Sequence, residues 1–139
     1  MIVIDEYLAV RVLRGDRWPD ELPDTDDLVL PTSRYWRLLQ SLHASGTGQL
    51  SRVLAPLSAA TVDSLRFPHP EVLQILDPRP LVDEAAQIAA RHRGGWLIAE
   101  TLAAGVHHGH ALWFGTERNV GSLLATAADA LGITVHVVA

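Results

Sequence analysis

GWLIAETLAAGVHHGHALWFGTERN, residues 95–119, decides how the rest of the chain is read. Trp96, Leu97, Ile98, Leu102 and Val106 fall at helical spacing, and one acid, Glu100, sits among them. Gly105 and Gly109 loosen the C-terminal end of that helix. His110 to Phe114 (HALWF) is an apolar run of strand length, and Gly115 to Asn119 follows as a loop with a second acid, Glu117. Asn119 is placed to cap the next helix. Helix, tight turn and strand in this order mark a parallel sheet, whose ligands bind beyond the carboxyl ends of the strands. Glu117 stands at such an end.

Working outward, the first residues supply a third acid. Ile2-Val3-Ile4 reads as a strand, and Asp5 is the first residue past it. Glu100 opens onto the same edge if its helix leads into the strand that Glu117 ends. Three carboxylates converging from distant parts of a sequence suit a hard divalent cation such as Mg²⁺ or Mn²⁺. Such an ion activates water against a phosphodiester.

The succession IVIDEYLAVRVL, LIAETLAAGV, LWFGTERN and LLATAADALGITVHVV resembles the PIN-domain nucleases, in particular the small toxin ribonucleases of bacterial toxin–antitoxin pairs. The resemblance runs over nearly the whole chain. It implies a single PIN-like domain over residues 1–139, three-layered α/β/α with a parallel sheet of about five strands. It also implies a metal-dependent endoribonuclease, with Asp5, Glu100 and Glu117 as catalytic and metal-holding residues. Arg118 and Arg37 become candidate RNA contacts. A cognate antitoxin and a homodimer are the partners it implies. The sequence departs from the family in two respects. Glu stands at 100 and 117 where Asp is usual, and the helix after the second strand carries no acid, with Trp36 or Arg37 about where one belongs. The alternative is therefore a degenerate PIN-like binding module that keeps its partner or RNA surface without cleaving.

Composition narrows the field from another side. A chain of 139 residues is one domain by size, and 48% apolar content is ample for one core. No apolar run reaches the ~18 residues of a membrane span, and no signal peptide is visible, so a cytoplasmic protein is expected. There is no cysteine, which excludes disulfides and thiolate metal sites. All eleven basic residues are Arg. Without Lys there is no P-loop and no Schiff base, and a receiver domain, which uses a Lys near its acids, is disfavoured. A flavodoxin-like small-molecule binder ranks last, because no Gly-rich phosphate loop follows strand one. The net charge of −5 is not that of a typical nucleic-acid binder, but six of the sixteen acids lie between Asp16 and Asp27, which leaves room for a local Arg-lined face.

In chain order, a strand over 1–4 leads to a helix over 6–14 and a polar loop over 17–27. A short strand over 28–30 ends at Pro31, and Thr32 or Ser33 caps a second helix. Short helices follow over 49–57 and 58–65, the second capped by Ser58. A strand over 72–76 precedes a helix over 81–92 whose Val82, Ala85, Ala86, Ile88 and Ala89 face inward. After the central stretch come a helix over 120–131, closed by Gly132, and a strand over 134–138.

Each candidate has a plainer reading. Asp5 serves equally as a helix N-cap, Glu100 as a solvent-facing helix position, and Glu117 as a loop acid near a helix N-terminus. Arg34 and Arg37, one turn apart, read as the outward polar face of the second helix; the alternative turns Arg37 into the acid cluster, where its guanidinium answers one or two carboxylates in place of a cation. Tyr35 and Trp36 beside Leu38, Leu39 and Leu42 give that helix more apolar surface than one core face needs, so part of it is expected to be an interface. His107, His108 and His110 are of a type that binds zinc or nickel, and are also ordinary turn residues. Trp18, Trp36, Trp96 and Trp113 are too scattered along the chain to suggest a base-stacking platform.

Overall fold

A computed structural model describes residues 1–16, 20, 22–23, 27–44, 46 and 48–138. The expected loop over 17–27, with Trp18, falls largely outside them. The elements in order are β1 (Ile2–Ile4), α1 (Glu6–Leu13), β2 (Leu28–Pro31), α2 (Thr32–His43), α3 (Gln49–Leu54), α4 (Ala59–Arg66), β3 (Gln74–Leu76), α5 (Val82–His92), α6 (Trp96–His107), β4 (Ala111–Phe114), α7 (Gly121–Ala130) and β5 (Thr134–Val137). Short 3-10 turns, Arg79–Leu81 and Glu117–Asn119, precede α5 and α7. The five strands form one parallel sheet in the order β3-β2-β1-β4-β5. The chain first winds from β1 outward to β3, then crosses back to place β4 on the other side of β1. The switch point therefore lies between the carboxyl ends of β1 and β4, where ligands bind in open sheets of this kind.

Alternation along the strands splits the core into two layers. Val3, Val29, Leu112 and Phe114 pack with Ala85 and Ile88 of α5, Ala99 and Leu102 of α6, and Leu124 and Ala127 of α7. Ile4, Leu28 and Leu30 pack on the other face with Leu8 and Ala9 of α1. Beyond α1, its Val10 joins Leu38 of α2, Leu50 and Leu54 of α3, and Leu65 of α4. The result is the three-layer α/β/α arrangement expected from the sequence.

Two contacts fix the spacing of these layers. Gly105 of α6 lies so close to β4 that a Cβ there would stand 3.1 Å from Leu112. Gly115, just past β4, is tighter still: a Cβ would meet Tyr7 Cβ at 2.8 Å and the Leu8 backbone nitrogen at 3.0 Å. Only glycine lets the exit of β4 pass so near α1.

Several local readings shift. The inward stripe of α5 runs through Leu81, Ala85, Ile88 and Ala89, because the preceding 3-10 turn brings Leu81 into the buried phase; Val82 and Ala86 are exposed. Neither Thr32 nor Ser33 caps α2: its N-cap is Pro31, which has no side-chain hydrogen bond to give. Asn119 does not cap α7 either, whose N-cap is Val120. Ser58 does cap α4, accepting from Thr61 N. Among the described residues no helix is long and apolar enough to cross a membrane.

Candidate functional site

The switch point is built by two consecutive acids at the start of α1. Asp5 leaves β1 in an extended conformation and caps the helix, its Oδ1 accepting from Leu8 N at 2.9 Å. The same oxygen accepts from Gly115 N at 2.9 Å, which is possible because that glycine approaches α1 without a side chain. Oδ2 accepts from Asn119 Nδ2 at 2.8 Å. Burial, reinforced by the neighbouring charge of Glu6, pushes the Asp5 carboxyl up to about 6, against the opposing pull of the Leu8 amide, Asn119 and Arg34.

Glu6 is completely buried and answered on both oxygens. Oε2 meets Arg34 Nη1 at 3.2 Å; Oε1 meets Arg37 Nη1 at 3.1 Å and Asn119 Nδ2 at 3.0 Å. Arg34 is itself buried, donates from Nε to Thr101 Oγ1 at 2.8 Å, and sits 5.1 Å from the Phe114 ring centroid, within cation–π range. Arg37 donates a further bond to Asn119 Oδ1 at 2.8 Å and keeps 39% of its side chain exposed. The two arginines expected to form the outward face of α2 thus turn inward. Two guanidiniums face two carboxylates, bridged by one amide.

Of the three sequence candidates, only Asp5 is at this centre. Glu100 is fully buried in α6, and its Oε1 accepts from Ser33 N at 2.6 Å. It therefore supplies the N-terminal cap that α2 lacks from its own residues, and the positive end of that helix dipole favours the charge. Among the described residues, its Oε2 has no hydrogen-bond partner, and neither has the buried Ser33 Oγ. Glu117 opens the turn before α7 and is exposed. Among the described residues, no three His, Asp or Glu side chains are grouped to hold a metal ion. His107 instead pairs with Glu84 of α5. The donor set at the switch point does not fit a divalent cation as it stands. A hard cation needs free carboxylate oxygens, whereas those of Asp5 and Glu6 are taken by amides and by guanidiniums that do not deprotonate.

Sequence reasoning missed Glu6, Arg34 and Asn119. A charged residue next to a strand-ending acid was the available signal for Glu6. Nothing in the helical pattern separates Arg34 from a surface arginine.

Two clefts flank Arg37. One, of about 660 Å³, is lined by Trp36 and Arg37 of α2, Trp96 and Leu97 of α6, and Thr32 and Ser33. The other, about 240 Å³ and more polar, is lined by Arg37, Arg118, Tyr7, Ser41, Thr116 and Asn119. The two arginines proposed as RNA contacts therefore meet at one cleft. Trp36 and Trp96, scattered in the sequence, also meet at one. No protein-family model, curated protein or solved structure matches the chain.

Proposed function

We propose that the chain is a PIN-like module that binds RNA and does not cleave it. The observation that carries this reading is the pairing of Glu6 with both Arg34 and Arg37. It neutralises the switch point from within and engages every carboxylate oxygen of Asp5 and Glu6 with an amide or a guanidinium. Support for RNA as the ligand comes from the polar cleft, where Arg37 and Arg118 stand among hydroxyl and amide groups that suit phosphate oxygens. A homodimer and an antitoxin-like partner belong to the reading through the sequence resemblance, and a cytoplasmic location through the composition. Light scattering, with and without the product of the neighbouring gene, tests the first two.

The decisive experiment incubates end-labelled RNA with the protein in Mg²⁺, in Mn²⁺ and in EDTA, and follows binding and cleavage together. Binding that is indifferent to EDTA, with intact RNA throughout, is the expected result. Metal-dependent cleavage that disappears in Asp5→Asn would instead restore the endoribonuclease reading, with Asp5, Glu100 and Glu117 as its acids.

A further inference from the structure

Resting on that reading, we infer that the Trp36–Trp96 cleft is a stacking site for one unpaired base of single-stranded RNA, whose phosphates lie along Arg37 and Arg118. Trp36 is 62% exposed and Trp96 is 45% exposed, although each lies on a helix that also contributes to the core. Tyr35, by contrast, is half-buried, with its hydroxyl donating to Arg66 O at 2.7 Å, and Leu38 is fully buried. The surplus apolar surface of α2 is therefore concentrated in one indole, and α6 sets a second indole beside the same cleft. Two exposed indoles converging on one concavity make a ligand-grade apolar surface rather than scattered exposure. Every nucleobase has a π-face, so indoles bind bases with little sequence preference.

The Ser33 Oγ and Glu100 Oε2 that lack a hydrogen-bond partner among the described residues are closed off from solvent, and Glu100 does not line the cleft, so recognition rests on the indoles and the arginines. Arg37 then joins the two halves of the site, because it lines both clefts while its Nη1 is held in place by Glu6 and Asn119. Two exposed indoles beside two arginines suit a polyanion that carries flat aromatic groups, which an acidic peptide lacks. A duplex is disfavoured because its bases are already stacked.

The test uses an eight-nucleotide oligouridylate and an oligoadenylate, in EDTA, read by tryptophan quenching and by anisotropy of a labelled strand. Trp36→Leu and Trp96→Leu should each weaken binding about ten-fold while leaving the salt slope unchanged. Arg118→Ala should weaken it and make that slope shallower by about 0.7. If both leucine variants bind like wild type while Arg118→Ala weakens binding, the stacking site is wrong and the RNA-binding reading stands. If a duplex of equal length binds as tightly as the single strand, the stacking site is likewise overturned. No binding of either strand at low salt overturns both. Should Trp36→Leu abolish self-association in a protein that binds no RNA, the cleft is an interface between copies.

Discussion

Asp5 and Glu100 are both buried carboxylates, one at the switch point of the sheet and one beneath the aromatic cleft, and they are treated in opposite ways. Each oxygen of Asp5 is answered, and so are those of its neighbour Glu6. Among the described residues, Glu100 is answered on one oxygen only. The first region has spent its polar capacity on holding the fold together. The second keeps a hydroxyl and a carboxylate oxygen enclosed without a partner among the described residues, and presents two indoles at its surface. A site's capacity to bind is set by what the fold leaves over, not by how many charged residues it gathers.

The sharpest way to break the switch point is to remove its innermost cation. Arg34→Met leaves Glu6 with a buried charge that the half-exposed Arg37 answers only in part. Losing one partner of a buried pair costs about 4 kcal/mol, and urea unfolding should show a loss of that size. Restoring neutrality with Glu6→Gln in the same chain should recover more than half of it. A loss below ~1 kcal/mol in the single variant would mean that water enters freely and that the centre is not closed. Gly115→Ala comes next, at about 3 kcal/mol, because the added methyl drives the β4 exit away from Tyr7 and Leu8 and pulls the Gly115 amide off Asp5.

Asp5 itself gives the comparison a pH axis. Its carboxyl rises from 3.8 to about 6 on folding, so the folded protein holds the proton that the unfolded chain releases first. Below pH ~3.8 both states are protonated and nothing is lost. As pH rises from there through 6, wild type should lose stability relative to Asp5→Asn, by about 3 kcal/mol once the window is crossed. Chemical denaturation of both proteins at pH 4, 5, 6 and 7 measures the difference. A constant offset across that range would show that Asp5 is ionised throughout.

The frame of the fold was legible in the sequence because strand and helix periods are local: β1, α1, β2, α2 and α4 to α7 appear within a few residues of where the pattern puts them. Of the site, Asp5 was legible as part of the switch point, since a residue that ends a buried strand stands at the functional edge by topology alone, and an inward Arg37 was legible as the alternative to an outward one. The rest depends on which way a helix is rolled. Arg34 and Arg37 lie on a helix that, read alone, wants a polar outer face. Their inward turn is set by Glu6 and Thr101, which belong to other elements. Asn119 has the chemistry of a cap, and its use as a bridge becomes visible only once Asp5, Glu6 and Arg37 are seen to surround it. The indoles converge for a comparable reason: Trp96 opens α6, and nothing in its own helix says that α2 will pass beside it.

The smallest expected effect is the most discriminating. Glu100→Gln keeps an oxygen to accept from Ser33 N, and so keeps the cap on α2. It replaces the unanswered carboxylate oxygen with either a second acceptor or an NH₂ group, and removes a buried charge. The lost interaction with the helix dipole costs about 0.5 kcal/mol, and relief of the buried charge offsets it. Net stability should therefore change by less than ~1 kcal/mol. Glu6→Gln, two guanidiniums away from the same chemistry, should cost several times more because it leaves Arg34 buried beside a neutral amide. Urea unfolding of the two glutamine variants side by side measures this contrast. Equal losses would show that Glu100 is as fully committed to the fold as Glu6, and that the oxygen beneath the cleft is not spare.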